Sequence, residues 1–173
     1  RGFLRQRLGA ASAWAEDEPD DALPIDLDSL QQWAVGERVL RQLLAGATPE
    51  QIAERERHAG TLPPGPLAGG VLREVGGRAQ AVAAAAAIEL LDEQQSYDVD
   101  VPLPDGTRLT GTVTGVRGDV VLLTTYSSLG PKHRLQAWVD LVALQAAHPG
   151  RPWRAVAVGW SRGRARRSQL QLA

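Results

Sequence analysis

The sequence predicts an α+β domain, an antiparallel meander with helices packed on it, in the order α-α-α-β-β-β-α-β. Three observations carry this. Apolar residues recur at three- and four-residue spacing up to the Ala-rich stretch that ends near residue 95, the period switches to two from Tyr97 to Tyr126, and helical spacing returns after Pro131. A sheet built this way has an apolar face that must be covered by one or more of the helices.

The elements follow in order. Glu16 to Asp28 holds seven acids, no base, and both Pro19 and Pro24, the composition of a solvated connector. Residues 1–27 are therefore read as a leading segment and acidic connector, and residues 28–173 as the domain. Asp28 can cap a first helix in which Leu30, Trp33, Ala34, Val39, Leu40, Leu43 and Leu44 share a face up to Gly46. Thr48-Pro49-Glu50 supplies an N-cap, a proline at the first helical position and an early acid, opening a short helix to His58. The Gly60 to Gly65 segment stops it. A long helix is predicted from Leu67 to Gln95, with Gly69-Gly70 and Gly76-Gly77 on one face where a neighbouring backbone could approach. Tyr97, Val99, Val101 and Leu103 then alternate with polar residues, Asp105-Gly106 turns the chain, and strands over 107–116 and 119–126 complete a meander. Leu135, Trp138, Val139, Leu141, Val142 and Leu144 mark the next helix, ended by His148-Pro149-Gly150, and Trp153 to Trp160 is the last strand. The expected core is Trp33, Leu40, Leu44, Val113, Leu123, Leu135, Trp138, Val142 and Val156.

Composition removes whole classes of function. With 19 basic and 20 acidic side chains the net charge is -1, so no global field draws the chain to nucleic acid or anionic lipid, and such contact must be local. The absence of cysteine excludes disulfides, thiolate metal sites and thiol nucleophiles, in keeping with a cytoplasmic location. The longest stretch poor in polar residues, Ala81 to Leu90, falls short of the roughly 20 residues of a membrane span and contains Glu89. An initial Arg1 with no leader pattern suggests a piece of a longer chain, truncated at its C-terminal end as well. Eighteen arginines against the single Lys132, with abundant Ala and Gly, suggest a GC-rich, actinobacterium-like genome. His58, His133 and His148 have no metal-ligand spacing. Asp98 and Asp100 share one strand face, which is read as the solvated face of an edge strand. No metal and no cofactor is expected.

The residues Leu23-Pro24-Ile25-Asp26-Leu27, Trp33-Ala34-Val35-Gly36-Glu37-Arg38, Gly60-Thr61-Leu62-Pro63-Pro64-Gly65 and Leu129-Gly130-Pro131-Lys132-His133-Arg134-Leu135-Gln136-Ala137-Trp138-Val139 resemble the C-terminal region of the RecC family, the gamma subunits of the RecBCD helicase–nuclease, exodeoxyribonuclease V. The resemblance covers nearly the whole chain, Phe3 to Leu8 included. It implies a PD-(D/E)XK nuclease-like fold without nuclease activity. Active relatives of that fold carry G-x-I-D-R-I on the second strand and D-Y-K on the third, two carboxylates for a divalent metal and a lysine for the attacking water. Here the matching stretches are Gly111 to Val116 and Thr125-Tyr126-Ser127, so Thr114 and Thr125 stand at the acid positions and Ser127 at the lysine position. A neutral hydroxyl is a poor magnesium ligand beside a carboxylate, and the active site is read as vacated. Gln136 keeps the place of a site-facing glutamine, read as a structural hydrogen-bonder. The rival reading is an active metal-dependent DNA nuclease, which Asp119, the one carboxylate between Asp105 and Asp140, makes hard to sustain.

The resemblance further implies RecB and RecD subunits as partners, with double-stranded DNA ends and unwound single strands handled in the complex during double-strand-break processing and recombinational repair. From Arg151 onward six arginines and no acid occur. Trp153, Trp160, Arg162, Arg164, Arg166 and Arg167 are accordingly the candidates for contact with partner or DNA, exposed tryptophan and arginine being the residues that dominate interfaces. The alternative for the arginines is a solvated edge and a frayed end.

Overall fold

The computed structural model describes residues 27–172. The connector and the preceding segment, residues 1–26, lie outside the described residues. Leu27, assigned to the connector, is 6% exposed and packs into the core.

Helix α1 (Ser29–Leu44) starts where Asp28 and Gln31 cap one another. Asp28 Oδ1 accepts the Gln31 N–H at 2.7 Å while Gln31 Oε1 accepts the Asp28 N–H at 3.0 Å. Thr48 and Gln51 repeat the device at α2 (Pro49–His58). Helix α3 (Pro66–Ala85) ends ten residues before the predicted Gln95. A 3₁₀ turn (Glu89–Leu91) follows, then β1 (Gln94–Pro102). Alanine propensity alone would carry the helix on, but Gln94 and Gln95 pair with Arg117 and Val116 of β2, and tertiary pairing overrides a weak local preference.

Strands β2 (Arg108–Arg117) and β3 (Val120–Ser128) complete the meander, α4 (Pro131–Ala147) crosses over, and β4 (Arg154–Ser161) follows. A fifth strand, β5 (Arg164–Gln171), was not expected. The sheet order is β1-β2-β3-β4-β5, with β3 and β4 parallel and the other neighbours antiparallel, so the sheet is mixed. The arginine-rich end is therefore paired along its length, Ser161 opposite Arg164 through Arg154 opposite Gln171. Its turn, Arg162-Gly163, has φ of 50° and 77°, the two successive left-handed residues that a two-residue hairpin takes. Arginine replaces the apolar alternation by which a strand is recognised.

The sheet separates two cores. On one side Val156, Val158 and Tyr126 pack with Val35, Val39 and Leu40 of α1 and Val75 and Val82 of α3. On the other, Val113, Val116, Val121, Ala155 and Trp153 pack with Leu141 and Leu144 of α4. Leu40, Val113 and Val156 are buried as expected, and Leu44, Leu123 and Val142 are half-buried. Trp33, Leu135 and Trp138 are corrections, with exposures of 42%, 61% and 46%. The face of α4 that meets the sheet is Ala137, Leu141 and Leu144, and this rotates Leu135, Trp138 and Val139 outward. The large residues drew the expectation while a small alanine makes the contact.

The paired glycines of α3 are a second correction. A Cβ at Gly70, Gly76 or Gly77 would meet nothing within 4 Å, and at Gly69 only the tip of Arg73. The close approach is at Gly36, where a Cβ would stand 2.5 Å from Tyr126 Cδ1 and nearer still to Cε1 and Cζ. Among the described residues no helix is long and apolar enough to cross a membrane.

Candidate functional site

Strands β2 and β3 pair only at their hairpin end, Val116 with Val121 and Arg117 with Val120. Gly115, at φ 74°, lies just before this paired end, and a Cβ there would stand 3.0 Å from the Leu122 carbonyl oxygen. Beyond it the strands diverge into a cleft of about 440 Å³. Thr114, Thr124, Gln136, Asp140, Arg41 and Arg117 contribute to its lining. The structure thus places Thr114 and Gln136 in one lining.

It does not bring Thr125 and Ser127 to the same lining. Thr125 is 8% exposed and accepts the Ser127 N–H on Oγ1 at 3.1 Å. Its methyl lies over Gly159 of β4, where a Cβ would come within 2.9 Å. Ser127 Oγ accepts the Trp33 indole N–H at 2.7 Å. The Ser127 hydroxyl is thereby committed to joining β3 to α1, and the Thr125 hydroxyl to a bond within β3.

Asp140 and Arg41 are site residues that the motif comparison missed. Asp140 stands one helical turn after Gln136, so a helical projection would have put the two on one face. Among the described residues Asp140 is the sole carboxylate in the cleft lining, and burial raises its pKa above 3.8. Magnesium is usually held in such sites by one or two carboxylates together with waters and substrate phosphates. The donor set here, a lone carboxylate whose ionised form burial disfavours beside two guanidinium groups that repel a cation, is a poor fit for a metal. Among the described residues no group of three acidic or histidine side chains converges elsewhere. Asp98 and Asp100 instead take Thr112 and Arg108 as partners on the outer face of β1.

The docking candidates divide. Trp153 was expected to stand exposed but is 2% exposed, a correction with a clear cause. Its indole N–H donates to the His148 carbonyl at 3.0 Å, Tyr97 packs edge-on at 5.3 Å, and the Arg151 guanidinium lies 4.4 Å from the ring centre. Trp160 is half-buried. The arginines do not form one patch, because successive strand residues point to opposite faces. Arg167 lies on the α3 side, where it and Arg154 pair with Glu89, which is 3% exposed. Arg164 and Arg166 are exposed on the α4 side of β5, and Arg162 occupies the exposed turn. The histidines serve as local hydrogen-bonders: His58 meets the Glu54 carbonyl, His133 Nδ1 accepts the Gly130 N–H at 3.2 Å, and His148 meets the Asp98 carbonyl.

The family model described as the RecC C-terminal domain matches residues 1–172. The chain is 45% identical over 164 residues to the RecBCD enzyme subunit RecC of Mycobacterium tuberculosis strain H37Rv, covering 95% of the chain and 15% of that protein. Its identity to the subunit of the same name in Mycolicibacterium smegmatis is 45% over 161 residues, covering 92% of the chain and 15% of the relative.

Proposed function

The chain belongs to the RecC C-terminal domain family, and from that premise we propose that it is a non-catalytic domain of a RecBCD-type helicase–nuclease. In this reading it serves subunit assembly with RecB and RecD, and it guides DNA strands as double-stranded ends are opened for recombinational repair. The fold it uses is a PD-(D/E)XK nuclease-like one whose catalytic positions are Thr114, Thr125 and Ser127. Residues 28–173 act as one body joined to the rest of the subunit through the acidic connector.

The observation that carries this reading is the composition of the split between β2 and β3. Hydrolysis there would need paired carboxylates to hold a metal and lower the pKa of its water. The split offers Thr114, Thr124 and Gln136, with Asp140 alone and Arg41 close by. A hydroxyl-lined cleft with arginines at its wall can hold a phosphate backbone without cutting it. Arg164 and Arg166 supply a second exposed basic surface on the α4 side.

The test is incubation of the purified chain with linear duplex and single-stranded DNA in magnesium and in manganese. Intact DNA in both is expected. Cleavage that follows the protein through purification and is abolished by Asp140→Asn would overturn the non-catalytic reading in favour of an active nuclease. Co-purification with RecB and RecD at low and high salt tests the assembly role.

A further inference from the structure

We propose that the cavity bounded by Trp33, Arg78, Tyr126 and Trp160 is a stacking pocket for one unpaired nucleobase of a single DNA strand; this rests on the strand-guiding reading above. The cavity measures about 650 Å³, within the roughly 300–1,000 Å³ of ligand pockets. It is separate from the split between β2 and β3, with which it shares no lining residue.

Its planar groups are held in place before any ligand arrives. Trp33 leaves 42% of its surface exposed, yet its indole is anchored by the N–H bond to Ser127 Oγ at 2.7 Å. The Arg78 guanidinium lies 4.3 Å from the centre of the Tyr126 ring and 5.3 Å from that of Trp160, and it donates to the Tyr126 carbonyl at 2.5 Å. Arg78 Nε is buried without a partner, so this guanidinium serves as a fixed flat cation rather than a saturated hydrogen-bonder. Gly77 contributes a wall with no side chain, and a Cβ there would meet nothing within 4 Å. The part-exposed Trp33 indole beside this open slot suits a flat heteroaromatic ring, which stacks whatever its sequence identity, while the Tyr126 ring, covered by Gly36 and Arg78, stiffens the floor.

The rim decides between a base on a strand and a free nucleotide. Glu74 lines the cavity, and Arg78 is its sole basic residue among the described residues. That arginine already faces two rings and a carbonyl. A free nucleotide would have to bring its phosphates to an acid, whereas a base entering from a strand leaves the phosphates outside. Glu74 can accept a base N–H at the ring edge.

The experiment is fluorescence anisotropy of an oligothymidylate and an abasic strand of equal length, with the 173-residue chain at fixed salt. The oligothymidylate should bind about tenfold tighter, the scale of one base–aromatic stack. Trp33→Ala should remove that preference while leaving abasic binding unchanged, and Trp33→Phe should retain most of it. Gly77→Leu, which fills the slot and favours the helix, should abolish the preference with every ring intact. Equal binding of both strands would overturn the pocket and leave strand guiding standing; no binding of either would overturn both. Displacement by micromolar thymidine monophosphate would make the site one for free nucleotides and overturn the proposal as well.

Discussion

Gly36 of α1 lies flat against the ring of Tyr126 on β3, so close that a Cβ at position 36 would stand 2.5 Å from Tyr126 Cδ1. This contact sets the distance between the first helix and the sheet. Gly36→Ala should therefore force the helix outward and destabilise the fold by roughly 1–3 kcal/mol. Gly70→Ala, in the open interior of α3, should instead stabilise by about 0.5–1 kcal/mol, the helix-propensity difference. Paired denaturant melts check both, and equal effects would refute the assignment of the close approach.

Trp153 and Trp138 should behave in the opposite way to a reading by size and position alone. Trp153→Ala empties a site 2% exposed and should cost about 3–5 kcal/mol. Trp138→Ala removes a side chain 46% exposed and should cost under about 1 kcal/mol. Thermal melts of the two variants give the comparison directly.

Glu89 joins three segments at once, the 3₁₀ turn carrying it and Arg154 and Arg167 on β4 and β5. Glu89→Ala removes the shared partner of two part-exposed arginines and should destabilise by roughly 1–3 kcal/mol. Arg167→Gln, which breaks one arm, should cost less. Hydrogen exchange along β5 should rise in both variants.

The arginines of β5 should separate by face. Replacing Arg164 and Arg166 with Gln should leave the melt unchanged while weakening binding to single strands. The salt slope should fall by about 1.4 if each contacts one phosphate. Replacing Arg167 should do the reverse, lowering stability more than DNA affinity. Salt titrations beside thermal melts distinguish the two classes.

Two groups give stability opposite dependences on pH. Burial first, then the charge of Lys132, hold His133 below its ordinary 6.5, so the folded chain binds fewer protons here than the unfolded one. Its contribution is full above 6.5 and is lost as pH falls through the depressed folded value. Protonation would also remove the lone pair by which Nδ1 accepts the Gly130 N–H. Asp140, raised above 3.8 by burial, favours the fold while protonated and opposes it as pH climbs through the raised value. His133→Gln should flatten the loss of stability on the acid side of neutrality. Asp140→Asn should stabilise at neutral pH, with the gain vanishing toward pH 3.8. Denaturant midpoints across that range test both signs.

The sequence was most legible where local chemistry decides. Asp28 and Thr48 begin helices because their oxygens satisfy free N–H groups, and Asp105-Gly106 turns the chain, all local events. It was least legible where the partner is distant. The end of α3 is set by pairing of Gln94 with Arg117, and Trp138 faces outward because Ala137 packs on a sheet whose residues lie elsewhere in the chain. β5 was missed since arginine pairs through its backbone as well as valine does. At the site, Thr114 and Gln136 line one cleft. The commitment of Ser127 to Trp33 was not legible, because 94 residues separate them.

Because the sheet order repeats the order of the strands in the chain, each strand as it leaves the ribosome finds the edge made by the one before it. The parallel step from β3 to β4 is bridged by α4 alone, so no earlier strand has to wait for a later one to be inserted. Contacts of short sequence separation favour rapid folding, and assembly can advance from β1 toward the chain end. The bond from Arg167 to Glu89, spanning 78 residues, then closes after the last strand is laid down, a clasp that fastens a body already formed.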